Sequence, residues 1–450
     1  MALFSSLRRE QKEAVGLLQI GTFLEYFDLM LYVHMAVLLN DLFFPKTDPH
    51  TASLIAAFAF CSTYVLRPFG ALLFGYIGDN IGRKTTVIIT TMMMAISCLI
   101  MANLPTYSQI GISAAWIVTI CRLLQGLSSM GEVIGANLYL TEITKPPERY
   151  PIVATLAIST VLGSTMALVI ASLVTSTGFN WRLAFWIGAG IALVGSVART
   201  RLRETPDFVD MKRRIRKAIE DSSHDGLGKA ADLLKSTSPL FKEKINWHTF
   251  IAYFFVLCGW PTAFFFSYVH CGMILKNQFG YTSEQVIHQN FKVSLCQLLS
   301  WTFVAVLCRW VHPLKIVKMR SFIFYFLAIS LPFFMNNAQS AHDIFILQAA
   351  IVVFGLHDIP AVPMFIINFP ILKRFTTFSF SYALSRAIVY IITSFALVYL
   401  TNAFGHYGLW FVMFPISLMF LWGLNHFENL DKQFGTSTNA KETLEEQLSC

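Results

Sequence analysis

The chain has 450 residues, of which 55% are hydrophobic and 13% are charged, and its mean hydropathy is +0.57. Soluble domains carry about 25% charged residues, so this composition excludes an ordinary water-soluble protein and indicates a membrane protein. The net charge of +8 does not indicate nucleic-acid binding, because 12 of the 34 Lys and Arg residues lie in one polar stretch between Arg199 and Lys244.

Apolar runs that are long enough to span a bilayer follow one another along the chain. A helix needs about 20 mostly apolar residues to cross a hydrocarbon core about 30 Å thick. The predicted spans are residues 15–39, 52–77, 85–103, 110–141, 152–176, 183–199, 249–275, 287–308, 319–336, 343–368, 378–402 and 406–425. The pattern predicts an all-α integral membrane protein with twelve transmembrane helices in two six-helix bundles. The first 14 residues lack the features of a signal peptide, so the first helix is expected to remain.

Positive charge alternates between the loops. Lys and Arg residues precede span 1 and lie between spans 2 and 3, 4 and 5, 8 and 9, and 10 and 11, whereas the intervening loops of the first half hold only Lys46. Because basic loops stay in the cytoplasm, both termini are expected there. The chain is predicted to have four parts: an N-terminal bundle (residues 1–200), a basic cytoplasmic central loop (201–247), a C-terminal bundle (248–426) and a short cytoplasmic tail (427–450).

The two polar segments outside the bundles carry weaker signals. In the central loop, apolar residues recur at helical spacing from Phe208 to Ile219 among basic residues. This spacing predicts either an amphipathic helix on anionic headgroups or a solvated tether. The tail has only 23 residues after Phe427 and lacks the apolar heptads of a coiled coil. We expect the stretch 435–439, Gly-Thr-Ser-Thr-Asn, to interrupt any helix there.

Signals for catalysis and cofactors are missing from the sequence. The eight cysteines are scattered singly and form no C-x-x-C pair, and no H-E-x-x-H motif or combined nucleophile and base motif is present. We therefore expect no enzyme, no metal site and no cofactor. Six spans, a basic loop and six further spans are typical of a transporter whose substrate site lies between two bundles.

Several ionisable residues lie inside the predicted spans. A charge at the bilayer centre costs about 2.5–3.5 kcal/mol, so these side chains are expected to form ion pairs or to line a wet cavity. Counting about 1.5 Å per residue from the cytoplasmic ends of the helices gives a depth of about 15–20 Å for four of them. These four are Glu25, Asp28, Arg67 and Glu132. Arg122 lies about 30 Å in by the same count, nearer the external mouth.

We predict that these five residues belong to the pathway of substrate and protons, with static ion pairs between helices as the alternative. A carboxylate that exchanges an arginine for a proton is the simplest proton-coupled device, and charges of both signs suit a zwitterion. Asp358 and Arg386 are predicted to join this pathway from the second half. The prolines at 360 and 363 predict a kinked helix beside it.

A glycine-rich loop between spans 2 and 3 reads Gly-Tyr-Ile-Gly-Asp-Asn-Ile-Gly-Arg-Lys. We expect Asp79 to face a helix N-terminus across the interface and Arg83 to pair with a carboxylate such as Glu142. Such contacts would close the cytoplasmic side of the protein and break when that side opens. The predicted gate residues are Gly75, Asp79, Gly82, Arg83, Lys84 and Glu142. The loop resembles the G-x-x-x-D-x-x-G-R-[RK] motif of the major facilitator superfamily.

Two other stretches resemble the metabolite-proton symporter family, which includes proline and glycine-betaine permeases. Residues 21–28, Gly-Thr-Phe-Leu-Glu-Tyr-Phe-Asp, are similar to that family's G-N-x-x-E-W-[YF]-D. Residues 122–136 are similar to R-x-x-Q-G-x-x-x-G-G-E-x-x-G-A. The resemblance covers residues 15–210. The second half departs from it, because residues 309–315 lack the aspartate and glycine expected after span 8.

The resemblance implies proton-coupled uptake of a small polar metabolite through the inner membrane of a bacterium, with a proline-like or betaine-like zwitterion preferred. A carboxylate of the dicarboxylate or 2-oxoglutarate type is an alternative, because Lys292 and Arg386 are cationic. A facilitator or exchanger without proton coupling is another, because the second half departs from the family. The expected partners are the substrate, protons and the lipid bilayer, without nucleic acid, and we expect the protein to function as a monomer.

Overall fold

The computed structural model describes residues 7–44, 64–177, 180–200, 209–210, 213 and 244–448, and within these ranges every regular element is a helix. The helices of the N-terminal half are α1 (Arg9–Phe43), α2 (Arg67–Asn80), α3 (Arg83–Asn103), α4 (Tyr107–Ile110), α5 (Ile112–Ile143), α6 (Arg149–Thr177) and α7 (Trp181–Arg199). Those of the C-terminal half are α8 (Trp247–Phe264), α9 (Cys271–Asn277), α10 (Ser283–Leu307), α11 (Pro313–Asn337), α12 (Ala341–Phe354), α13 (Val362–Ile366), α14 (Arg374–Ile391), α15 (Leu397–Phe404) and α16 (Trp410–Leu448).

Nine helical stretches within the described ranges are long and apolar enough to cross a membrane. Three predicted spans are not among these nine. Span 2 is described only from residue 64 onward, and α2 covers its second part. The apolar part of α7, Trp181–Val194, and helix α12 are shorter. The prediction of an all-α membrane protein is confirmed.

Predicted span 10, residues 343–368, is broken rather than kinked. Helix α12 ends at Phe354, residues 355–361 are not helical, and α13 has only five residues. Pro360 lacks a backbone N–H and disfavours the helical conformation at the residue before it, while Pro363 stands in the first turn of α13, where proline is tolerated. The two prolines thus separate two helices, so the single kinked helix that the sequence predicts is wrong.

The tail and the central loop differ in how much the structure describes. Helix α16 continues to Leu448, so the predicted interruption at 435–439 is wrong. Ser, Thr and Asn cost at most about 0.7 kcal/mol each and Gly about 1 kcal/mol in a helix, and these penalties do not end one. Earlier in α16, Lys432 pairs with Glu428 at 3.0 Å. The four apolar residues of the central-loop prediction lie outside the described residues.

Each half is held together by long helices that pack side by side. In the N-terminal half α1 packs on α6, and α3 packs on α5 and α7. In the C-terminal half α8 packs on α14 and α16. The halves meet along two helix pairs, α2 with α14 and α6 with α10. The space between these two pairs of helices is where the halves enclose a cavity.

The α1–α6 contact requires a glycine. A Cβ atom on Gly163 would lie 2.2 Å from the backbone oxygen of Phe23 and 3.0 Å from the backbone nitrogen of Phe27. Small residues allow helix backbones to approach closely in membrane proteins, where van der Waals packing drives association. Because the neighbouring atoms belong to the backbone, a side chain at this position cannot be accommodated by a rotamer change.

Gly163→Ala is therefore expected to lower the free energy of unfolding by about 1–3 kcal/mol, the usual cost of overpacking, even though alanine favours helix. Gly16→Ala in α1 is the matched control, because no atom lies within 4 Å of its added Cβ. Thermal unfolding of both variants in the same detergent measures the difference. Equal melting temperatures for the two variants would contradict the close α1–α6 packing.

Candidate functional site

A cavity of about 100 Å³ lies between the two halves. Helices α1, α2, α5 and α6 line it on one side, and α8, α10, α13, α14 and the non-helical segment 355–361 line it on the other. Its charged and titratable lining residues include Arg67, His357, Asp358 and Arg386. Its aromatic lining residues include Tyr26, Tyr64, Trp260, Trp301, Tyr382 and Tyr390. The cavity is thus an aromatic chamber with a small number of charged groups, as small-molecule sites usually are.

Arg67 brings a positive charge to the cavity from the N-terminal half. It is 3% exposed, and its guanidinium carbon lies 4.5 Å from the centre of the Tyr64 ring. Within the described part of the chain, its Nε and Nη2 have no hydrogen-bond partner, and no carboxylate lies within 4 Å of it. The ring face compensates only part of the charge, because a cation–π contact is worth about 0.5–2 kcal/mol.

Arg386 brings a second positive charge from the C-terminal half. Its guanidinium carbon lies 3.2 Å from the centre of the Tyr382 ring, and its Nη1 makes only long contacts of 3.4 Å with Tyr382 O and Ser385 Oγ. No carboxylate of a described residue lies within 4 Å of Arg386. Two buried guanidinium groups, one from each half, therefore line the same cavity without a paired acid in the described part of the chain.

Tyrosine contacts join the halves beside these arginines. The hydroxyl groups of Tyr26 and Tyr382 are 3.0 Å apart, and the ring centres of Tyr64 and Tyr390 are 4.3 Å apart. The sequence analysis did not assign the four tyrosines to the site. Tyr64 precedes Arg67 by three residues, and Tyr382 and Tyr390 each lie four residues from Arg386. This helical spacing is the signal in the sequence that places these three tyrosines beside the charged groups.

Glu25 and Asp28 do not line the cavity. The residues of α1 that do are Tyr26, Leu29 and Met30, at helical spacings of three and four. Glu25 and Asp28 are not among the lining residues and are 2% and 3% exposed. They are therefore buried inside the N-terminal half, and a part for them in the transport pathway stays a prediction.

Arg122 and Glu132 of α5 are also buried and are not among the residues that line the cavity. Glu132 accepts a hydrogen bond of 2.7 Å from Thr91 Oγ1, and Asp28 lies 3.1 Å from Cys98 Sγ and within electrostatic range of Arg122. The structure thus groups Asp28 with Arg122 inside the bundle. It does not join Arg67 to Glu25, Asp28 or Glu132 by an ion pair among the described residues.

The non-helical segment 355–361 places two titratable side chains at the cavity. His357 Nδ1 lies 2.7 Å from Asp358 Oδ1, with side chains that are 10% and 12% exposed. The imidazole packs against two indoles, with ring centres 5.1 Å from Trp260 and 4.7 Å from Trp301. Irregular backbone at membrane depth occurs where it lines a cavity, as this segment does.

The glycine-rich loop lies where the two halves meet at one face of the protein. Asp79 accepts hydrogen bonds from the backbone N–H groups of Phe375 and Thr376, at 3.1 and 2.9 Å, and from Thr376 Oγ1 at 2.7 Å. These donors belong to the first turn of α14, in the other half. A carboxylate there satisfies helix N–H groups and interacts favourably with the helix dipole.

Charged side chains surround this contact. Arg83 lies 3.4 Å from Asp79 and 3.6 Å from Glu142, and Arg374 of the other half lies 3.4 Å from the same Glu142 oxygen. Here the name gate cluster denotes Asp79, Arg83, Glu142, Arg374 and Thr376. The sequence analysis missed Arg374 and Thr376, whose only signal was a basic pair, Lys-Arg, between spans 10 and 11.

The remaining predicted gate residues have other roles. Lys84 Nζ donates to Thr200 O at 2.7 Å, at the end of α7 and beside the gate cluster. Gly82, with φ 152° and ψ 153°, adopts a backbone conformation reserved for glycine. A Cβ on Gly75 would lie 2.8 Å from Thr376 Cα, so glycine permits the close approach of α2 to α14.

Comparisons with known proteins place this arrangement in a family. Curated relatives include a proline/betaine transporter of Escherichia coli K12, which is 30% identical over 222 residues. A glycine betaine/proline/ectoine/pipecolic acid transporter of Dickeya dadantii is 30% identical over 223 residues. Each alignment covers 48% of this chain and 44% of the relative, so the chain spans less than half the length of these relatives.

Solved structures share the fold at low sequence identity. The xylose symporter XylE matches with a TM-score of 0.70 and 14% identity, covering 92% of this chain and 94% of that one. The human organic anion transporter MFSD10 matches with a TM-score of 0.63 and 15% identity, covering 93% and 100%. The family model of the Major Facilitator Superfamily matches residues 18–370. The chain therefore belongs to the major facilitator superfamily, a family of multi-pass membrane transporters rather than enzymes.

Proposed function

We propose that this protein is a secondary active transporter for the uptake of a small metabolite that carries a carboxylate group, driven by protons. One observation carries the proposal: Arg67 and Arg386, one from each half, face the same cavity without a paired acid among the described residues. An uncompensated charge in a low-dielectric interior is costly. A bound carboxylate removes that cost.

The strength of such binding follows from the guanidinium groups. Hydrogen bonds to charged groups contribute about 1.5–3 kcal/mol each, and arginine binds a carboxylate through two parallel bonds. A carboxylate held by both arginines bridges the two halves. Its affinity then depends on their relative position, so substrate binding shifts the conformational equilibrium of the transporter.

The preferred substrate class is a zwitterion such as proline or a betaine. The aromatic faces of Trp260 and Trp301 provide a favourable environment for an ammonium group in the same cavity. The named substrates of the two curated relatives agree with this class. A dicarboxylate is the alternative, because each arginine can take one carboxylate. A facilitator or exchanger without proton coupling is a second alternative.

The proposed setting is the inner membrane of a bacterium, with both termini in the cytoplasm and the monomer as the working unit. The alternation of basic loops supports this orientation. In that orientation the gate cluster closes the cytoplasmic side, and substrate release requires its contacts between the halves to separate.

Uptake into proteoliposomes separates the alternatives. We expect labelled proline or glycine betaine to accumulate when a proton gradient is imposed, up to about 40-fold for one proton and 100 mV. Accumulation of a dicarboxylate alone would favour the carboxylate alternative. Exchange of labelled for unlabelled substrate that no pH gradient can drive uphill would favour the exchanger. Transport of none of the three compounds would contradict the proposal.

The two-arginine site predicts that Arg67→Gln and Arg386→Gln each weaken binding of the transported substrate by about 10-fold to 100-fold, because each removes charge-assisted hydrogen bonds. Arg182→Gln is the matched control. Arg182 also lies over an aromatic ring, 4.6 Å from the centre of Trp181, but it is outside the cavity. Equilibrium binding to the purified variants provides the measurement, and wild-type affinity in both cavity variants would argue against the site.

The gate cluster predicts a different pattern. Asp79→Asn and Glu142→Gln are expected to reduce uptake by at least about 10-fold while substrate affinity changes little, because a contact between the halves is weakened and the cavity is untouched. Asn80→Ala is the control, since the exposed Asn80 side chain bonds only its own helix, at Tyr76 O. Normal uptake by both charge variants at normal expression would show that the gate cluster is not needed.

A further inference from the structure

We propose that His357 and Asp358 form the proton-binding site of this transporter. The assignment rests on the proposed proton-coupled uptake and specifies which groups carry the proton. The two side chains, here called the proton pair, lie at the break between α12 and α13 and line the cavity that Arg67 and Arg386 also line. Protonation there is therefore sensed by the groups proposed to bind substrate.

We assign the protonation state of the proton pair from the contacts of one nitrogen atom. His357 Nδ1 lies 2.7 Å from Asp358 Oδ1, a separation that requires a hydrogen between the two atoms. The backbone N–H of Ile359 donates to the same Nδ1 at 3.0 Å. An imidazole nitrogen carries either a hydrogen or a lone pair. Nδ1 has a single lone pair, and with that lone pair facing both the Ile359 N–H and Asp358 Oδ1 we assign the shared hydrogen to Asp358.

In this assignment the proton pair is a carboxylic acid beside a neutral imidazole. When the acid O–H bond breaks, its electron pair stays on the Asp358 oxygen, the proton passes to water in the cavity, and the charge of the pair changes from zero to −1. Two lone pairs then face each other at 2.7 Å unless the imidazole moves its hydrogen from Nε2 to Nδ1. That change gives up the Ile359 contact, so proton loss alters the backbone contacts of segment 355–361.

Each helix around the proton pair presents a defined group to it. Arg386 of α14 and Arg320 of α11 lie within electrostatic range of His357, and Tyr253 of α8 lies within range of Asp358. Trp260 of α8 and Trp301 of α10 cover the imidazole. The charged neighbours are cations, which stabilise the pair after it loses the proton.

Arg386 connects the proton to the substrate. When the pair is deprotonated, its negative charge attracts Arg386, and the positive charge that a substrate carboxylate meets is reduced. When the pair is protonated, Arg386 is available to the substrate. The proton and the carboxylate therefore bind together on one side of the membrane, and loss of the proton on the other side weakens substrate binding.

A spectroscopic test needs no transported substrate, so its result is independent of the uptake experiment. We expect infrared difference spectra of the purified full-length protein in lipid nanodiscs, recorded between acidic and alkaline pH, to contain a carboxylic C=O stretch that disappears in Asp358→Asn. The same band should titrate at a shifted pH in His357→Gln. His342→Gln, which changes an exposed histidine of α12, should leave the spectrum unchanged. An unaltered titrating band in Asp358→Asn and in His357→Gln would overturn the assignment.

A transport test uses labelled proline or whichever compound of the uptake experiment is carried. In Asp358→Asn and His357→Gln, accumulation driven by a proton gradient should fall from about 40-fold at 100 mV to none. Exchange of labelled for unlabelled compound at equal concentrations should persist, because it needs no net proton movement. Retained accumulation in both variants would overturn the assignment, and so would parallel loss of exchange in both.

Discussion

A charge in a low-dielectric interior has to be compensated, and this requirement is met differently at three places in the protein. Inside the N-terminal half, acids and bases such as Asp28 and Arg122 lie within range of one another. At the gate cluster, charges of both halves compensate each other. At the cavity, Arg67 and Arg386 lack a paired acid within the described residues. There the compensation is proposed to come from a bound ligand.

Local motifs allowed the gate contacts to be predicted in part. Asp79 and Arg83 lie in one short glycine-rich stretch, whose sequence indicates a tight turn with an acid and a base near its ends. A helix N-terminus was therefore the expected partner of Asp79, and Glu142 that of Arg83. Which helix supplies that N-terminus depends on how the halves pack. No local pattern in the sequence carries that information, and Arg374 and Thr376 were therefore not predicted.

The cavity was harder to predict because counting residues gives the depth of a side chain but not its direction around the helix. Glu25 and Tyr26 have almost the same depth, yet successive residues of an α-helix point about 100° apart. Only Tyr26 lines the cavity. The prolines at 360 and 363 indicated a kinked helix beside the path. The full break, which brings His357 into contact with Asp358, depends on tertiary packing against Trp260 and Trp301.

The position of Arg83 has a consequence for the speed of the transport cycle. Asp79, Glu142 and Arg83 all belong to the N-terminal half, so separation of the halves removes Arg374 and the first turn of α14 but leaves Arg83 beside both acids. Neither carboxylate is stranded without a cation during the movement. For these two carboxylates, the proposed opening therefore avoids the penalty of about 3–5 kcal/mol for isolating a buried ion, which would slow each turnover by a factor of a hundred or more.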